Sequence, residues 1–165
     1  MRTAIERLVE SFRAWKEPRD GLTNNPFRLA CSLEEGAPDA EISAARSGVE
    51  LPAELEEFWT QSRSARLFED VDYGQWGLRI LAPEQSLDRT AAERRDRPDD
   101  IHATDLVVGE FLGDHELLVL ALDEEARGVL IALPLYPRVD WYRAGATLGD
   151  FLERYLDAVG EKFWE

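Results

Sequence analysis

One cysteine, Cys31, one methionine and two histidines, His102 and His115, are all that the 165 residues hold of these types. A lone cysteine has no internal partner for a disulfide, and such usage is expected of a reducing compartment. A lone thiol is also far more commonly a small packing residue than a nucleophile. Two histidines and one cysteine give poor material for a zinc site, which needs clustered nitrogen and sulfur ligands. The run "GDHE", Gly113–Glu116, does set Asp, His and Glu side by side. Neighbouring residues on a strand or turn point in different directions, so adjacency alone makes no metal or acid–base centre.

Other absences are equally specific. No apolar run approaches the roughly 20 residues that cross a bilayer. The amino-terminal "MRTAIERLVESF" interleaves charged and apolar residues, without the apolar block of a secretory leader. A cytoplasmic protein with no membrane contact is expected. There is no G-x-x-x-x-G-K-[ST] phosphate loop, no G-x-G-x-x-G and no G-x-S-x-G elbow. Carboxylates are too plentiful for one pair to stand out as a hydrolytic dyad. The sequence therefore nominates no catalytic, metal-binding or cofactor-binding residue, and no enzyme is expected.

Basic residues are also scarce. Lys and Arg number 19 against 34 Asp and Glu, a formal net charge of −15. Residues 1–50 hold nine acids and seven bases, so residues 51–165 carry −13 of that total. Nucleic-acid binding needs cations to neutralise phosphates, so DNA, RNA and anionic membrane surfaces are disfavoured. A basic protein partner is compatible, because complementary charge speeds encounter and rejects wrong partners. The plainer alternative is that acidity serves solubility alone.

What is present is one domain's worth of chain, with 44% hydrophobic and 32% charged residues. Thr3 and Glu6 have capping-box spacing ahead of Ile5, Leu8, Val9 and Phe12, which predicts a helix over 3–16. Pro18, Asp20, Gly21, Asn24, Asn25 and Pro26 mark a turn-rich connection. "APDAEISAARSG" and "LPAELEEFW" predict two further helices, the second with Leu51, Leu55, Phe58 and Trp59 on one face. "RLFEDVDYGQWGLRIL", Arg66–Leu81, reads as a hairpin joined by "DYGQ". A helix entered at Pro83 follows. Then "DLVVGEFL", "ELLVLAL" and "GVLIALPLY" predict an antiparallel meander, with a further short strand around Val139–Tyr142. Thr147 and Asp150 cap a closing helix with Leu148, Phe151, Leu152, Tyr155, Leu156 and Val159 in one stripe. The fold class is α+β: a mostly antiparallel sheet of about five to six strands, flanked by amino-terminal helices and a carboxy-terminal one.

Laid out in this order, the segments resemble the SMI1/KNR4 family, also called the SUKH superfamily. "PDAEISAARSGVELPAELEEFW" is similar to the family's helix, its Gly-hydrophobic-x-Leu-Pro link and its acid- and aromatic-rich second helix. "RLFEDVDYGQWGLRIL" resembles its glycine- and aromatic-bearing hairpin. "DLVVGEFLGDHELLVLAL" is similar to its strand pair with Gly109, Gly113 and Asp114, and "TLGDFLERYL" to its closing helix. The resemblance covers about residues 38–158, with 1–37 outside it as an amino-terminal helical extension to a single domain, 1–165. It implies an α+β binding protein and not an enzyme. Bacterial members are thought to be immunity proteins that neutralise polymorphic toxins, often nucleases; fungal relatives are regulatory hubs in signalling and cell-wall control. The expected partner is thus a protein, in the first instance a basic toxin domain, met by a monomer or weak dimer. The alternative is a regulatory or scaffolding domain.

Candidate contacts are acids and aromatics of the turns. Glu69, Asp70, Asp72, Asp114, Glu116, Asp123, Glu124 and Glu125 would stand in for nucleic-acid phosphates, with Tyr73 and Trp76 as apolar anchors. The competing reading folds Trp76 back over the sheet, since large aromatics usually bury most of their area. Trp59, Trp141 and Trp164, among apolar neighbours, are expected in the core.

Overall fold

The computed structural model describes residues 1–22 and 24–165. Eight antiparallel strands form one sheet in sequence order: β1 (Arg19–Asp20), β2 (Arg28–Leu33), β3 (Ala65–Asp70), β4 (Leu78–Ile80), β5 (Leu106–Phe111), β6 (Leu117–Ala121), β7 (Gly128–Ala132) and β8 (Tyr142–Gly145). Five helices accompany it: α1 (Ala4–Arg13), α2 (Asp39–Gly48), α3 (Ala53–Gln61), α4 (Pro83–Asp96) and α5 (Leu148–Asp157). The class is α+β with eight strands, not five to six. The additional strands arise largely from residues 19–33, expected as a helical extension and its turn. There β1 and β2 pair with each other, and β2 goes on to pair with β3.

The helix ends follow the capping rules. Thr3 Oγ1 accepts from the Glu6 N–H at 3.1 Å, and Glu6 Oε2 accepts from the Thr3 N–H at 2.9 Å. Thr147 Oγ1 accepts from the Asp150 N–H at 3.1 Å to open α5. The stripe of α5 ends at Leu156; Val159 lies beyond the helix, with φ of 53°.

The sheet has two unequal faces. On one, Leu106, Val108, Leu118, Leu120, Val129 and Ile131 meet Ile5, Val9 and Phe12 of α1, Leu55, Phe58 and Trp59 of α3, and Phe151, Leu152 and Tyr155 of α5. On the other, Val107, Leu117, Val119 and Ala132 form a smaller cluster with Leu81, Ile101 and Trp141. Period-two alternation along β5–β7 thus feeds two cores, and Glu110 of β5 is the one charged residue in these strands. β8 begins at Tyr142, so the expected strand around Val139 is replaced by a turn of 3₁₀-helix, Arg138–Asp140. Likewise β7 stops at Ala132, and Leu133–Tyr136 of the expected strand leave the sheet.

Phe68 ties the amino- and carboxy-terminal elements together. It is fully buried at φ 52°, opposite a bulge, and its N–H meets Cys31 Sγ at 3.3 Å. Its ring packs edge-on against Phe12, Trp15 and Tyr155. Burial pushes the Cys31 thiol up to about 12, against the Phe68 N–H and the Arg19 charge, which leaves it protonated and inert.

β4 is too short to cover β5, and α4 completes the pairing. Val107 donates its N–H to Thr90 Oγ1 at 2.8 Å, and its carbonyl accepts from Ser86 Oγ at 2.6 Å. Both hydroxyls are buried. The near-isosteric Thr90→Val change removes an acceptor while keeping the volume. It should cost about 1–3 kcal/mol, the penalty for an unsatisfied buried N–H. Urea unfolding should show this as a lower midpoint with unchanged slope.

Candidate functional site

The antiparallel order sorts the nominated residues onto opposite ends of the sheet. The end of β3 carries Glu69 and Asp70, and the turns after β3 and β5 at the same end carry Asp72, Tyr73, Trp76, Asp114 and Glu116; the β6–β7 turn carries Asp123, Glu124 and Glu125. Five residues of β6, about 17 Å at roughly 3.4 Å each, lie between them. The two groups do not form one surface.

Most of these acids are engaged within the protein. Asp70 is buried, and its carboxylate accepts from the N–H groups of Asp72, Tyr73 and Gln75 at 3.0, 3.1 and 3.1 Å. It holds the turn in which Gly74 takes φ 66°. Asp72 receives two hydrogen bonds from the Arg28 guanidinium, at 2.8 and 3.1 Å, which hold its carboxyl below the usual range. Glu69 pairs with Arg66 at 2.6 Å. Asp123 accepts from Thr104 Oγ1 at 2.7 Å and lies 2.9 Å from His102 Nδ1; both lower its pKa. Glu124 and Glu125 remain exposed, as does Tyr73 at 75%.

Trp76 is folded back and half-buried. Its Nε1–H donates to the Gly160 carbonyl at 3.0 Å, and its ring packs near Phe27. Beside it, Lys162 joins Asp114 and Glu116, the latter at 2.8 Å. The segment after α5 therefore clasps this end of the sheet. Trp59 and Trp141 are buried, and Trp164 packs against Phe111, Phe151 and Tyr155.

A different segment displays apolar surface. Leu135, Tyr136 and Val139 are 90%, 55% and 87% exposed, three large apolar side chains within five residues. They crown the β7–β8 strap, residues 133–141, which folds back over the smaller core. The strap is firmly pinned. Arg97 Nη2 and Trp141 Nε1 donate to the Tyr136 carbonyl at 2.6 and 3.0 Å. Arg138 donates through its backbone N–H to Asp100 Oδ1 at 3.1 Å and through Nη1 to the Asp100 carbonyl at 2.9 Å. Its guanidinium also pairs with Asp105, whose side chain has no exposure. Asp105 in turn accepts from the His102 N–H at 2.7 Å. Asp140, within the strap, and Asp99, next to the Asp100 that holds it, are exposed and have no ion-pair partner among the described residues. Reading "GVLIALPLY" as one strand hid this ridge. The signal against that reading was Pro134, with Pro137 three residues on, because proline cannot donate to a ladder.

Two concavities lie on the helical side. One, of about 240 Å³, opens where α3 and α5 begin and β6 ends. The other, of about 490 Å³, runs between α1 and α5. Among the described residues no three His, Cys, Asp or Glu side chains converge as a metal site would require, and no helix is long and apolar enough to cross a membrane.

The Lys162 cluster makes an asymmetric prediction. Burial lifts the Glu116 carboxyl above its ordinary pKa, more than the Lys162 hydrogen bond lowers it. Burial also opposes the charge on Lys162, but Asp114 and Glu116 outweigh it and raise that pKa. Lys162→Met strands Glu116 and should cost about 2–4 kcal/mol; Glu116→Gln should stay within about 1 kcal/mol. By linkage, the raised Lys162 contribution is complete below the ordinary lysine value and fades as pH rises through its folded one. Glu116 favours the fold increasingly as pH falls through its raised value. Thermal unfolding of both variants between acid and alkaline pH checks the order. The sequence matches no model of a known protein family, and no curated protein matches it significantly.

Proposed function

We propose that this chain is a non-enzymatic protein-binding domain of SMI1/KNR4 type, acting as an immunity protein that covers a basic, nuclease-like toxin domain. The observation that carries the reading is the pinned apolar ridge of Leu135, Tyr136 and Val139, with the exposed Asp140 in the same segment. Interfaces concentrate their energy in aromatic and apolar anchors with a polar rim. A segment already held in one conformation loses little entropy on binding. The net charge of −15 supplies attraction toward a cationic surface at distances up to about a Debye length, roughly 8 Å at physiological salt. The collinear resemblance over residues 38–158 supports the toxin-neutralising assignment. A cytoplasmic location goes with that reading.

The test is co-expression with the product of the adjacent open reading frame, followed by calorimetry over a range of salt. Tight, salt-weakened binding that abolishes the neighbour's toxicity is the expected result. Leu135→Asp and Tyr136→Ala should each weaken binding by about tenfold or more. Both positions being exposed, stability should change by no more than about 0.5 kcal/mol. A neighbour that is neither bound nor neutralised sinks the immunity reading and leaves regulatory scaffolding in its place. Full affinity in both ridge variants would sink the ridge as the contact.

A further inference from the structure

The two concavities on the helical side adjoin, and their linings differ in a complementary way. The smaller is walled by Pro52, Leu120, Leu122, Val129 and Leu148, with Arg127 at its edge. Its 240 Å³ is below the roughly 300–1,000 Å³ of sites that enclose small organic ligands, and suits one large side chain. The larger is a trough floored by Leu8 and Leu156 and walled by exposed or half-exposed acids: Glu54, Asp150, Glu153 and Asp157. Glu54 lines both, and Leu148 and Gly149 are consecutive, so the trough leads into the apolar pocket.

The charges of the trough are unequal in number and in state. Asp150 is occupied: its carboxylate accepts from the Ala146 N–H at 2.9 Å and pairs with Arg154 at 3.3 Å. Glu54, Glu153 and Asp157 make no ion pair among the described residues, and Arg7 is the one cation lining the trough. Three unpaired carboxylates face one guanidinium over an apolar floor. The Glu54 carboxylate lies against Gly149, and a Cβ there would displace it from this position.

We propose that this groove binds a basic amphipathic segment of a partner protein. Lys or Arg of the segment would lie over Glu54, Glu153 and Asp157, and one leucine- or phenylalanine-sized side chain would enter the pocket between Leu120, Val129 and Leu148. An apolar groove with charged walls is the way an amphipathic helix is received, and the α1–α5 trough, between helices of ten residues each, has the length of about three turns. The groove lies across the sheet from the Leu135 ridge, which belongs to the strap over the smaller core. The proposal does not depend on the immunity reading.

Three synthetic peptides of roughly 14 residues, near the shortest that form isolated helices, test it against the full chain by ¹⁵N–¹H correlation spectroscopy. The first is lysine and alanine with one central leucine. The second has alanine for that leucine, and the third has glutamate for every lysine. The first should shift amides of Leu8, Glu54, Leu122, Leu148 and Leu156 and bind about ten- to a hundredfold tighter than the second. The third should not bind. Combining Glu54→Gln, Glu153→Gln and Asp157→Asn should weaken the first peptide at least about tenfold and flatten its salt dependence, with the unfolding midpoint kept. Shifts scattered over the acidic surface, equal affinity for the first two peptides, an unaffected triple variant, or no binding at millimolar peptide would each overturn the proposal. Failure of the neighbouring gene product to bind would leave this result unaltered.

Discussion

Strands β5, β6 and β7 are apolar on both faces, and the packed helices cover only one of them. Everything distinctive about the molecule follows from how the second face is closed. Among the described residues no α-helix packs on it. Irregular chain does it instead, with Ile101 from the β4–β5 connection and Trp141 from the strap. Irregular chain has backbone groups that need partners, and apolar surroundings supply none. The fully buried Asp105 meets part of that need by accepting from the His102 N–H and the Arg138 guanidinium. Such an ion pair contributes little net stability, because desolvation consumes most of the Coulomb gain. Its effect here is positional: it fixes the strap against the sheet. A strap so fixed cannot turn Leu135, Tyr136 and Val139 inward, because Trp141, Ile101 and Leu117 already fill the space beneath. The exposed ridge is thus the far side of a structural solution, which is also the geometry a binding surface needs.

The acids divide by the same logic. A meander of eight strands has seven connections, and tight turns need local acceptors for their N–H groups. Asp70 gives three hydrogen bonds' worth of acceptance to one turn, and Asp114 and Glu116 anchor the carboxy-terminal segment through Lys162. An aspartate in a turn is therefore ambiguous in sequence. "EDVDYG" reads equally well as a displayed acidic patch or as a self-capped turn, and only the buried carboxylate of Asp70 separates the two. Trp76 was ambiguous for a similar reason: the residue that receives its indole N–H, Gly160, lies 84 positions away.

What could be read from the sequence was what local chemistry determines. A capping box placed the start of α1 and the Thr147 cap that of α5, and alternation placed β5 and β6. β2 was legible in principle, since Leu29, Cys31 and Leu33 alternate with Arg28, Ala30 and Ser32. Its partner β3 is separated from it by 31 residues that include two helices, so no hairpin signal announces the pairing. β1 has two residues and no periodicity at all. The ridge was hidden by its own hydrophobicity, which continues that of β7 without a break, and proline was the one local mark of the strand's end. The α1–α5 groove could not be read locally either. Its acids sit on the polar sides of two helices, α3 and α5, where acids are ordinary, and they line one trough with α1 only because α1 and α3 both pack against α5.

Charge and shape then bear on different aspects of recognition. Fifteen excess negative charges act at range and respond to salt, but they favour any cation equally. The ridge and the groove act only in contact, and they require opposite shapes from a partner: a hollow for Leu135 and Tyr136, a protruding side chain for the pocket at Leu148. Because they lie on opposite sides of the sheet, a single small domain could not fill both. Two contacts with separate shape requirements and a common preference for cations suit an extended or two-part basic partner, or two partners held at once. Electrostatic attraction common to both faces would govern association rates, while apolar burial at each face would govern lifetimes. A loss of binding through added salt and a loss through Leu135→Asp would therefore enter through different rate constants. That kinetic separation ties the acidic composition of the chain to the two apolar features of its fold.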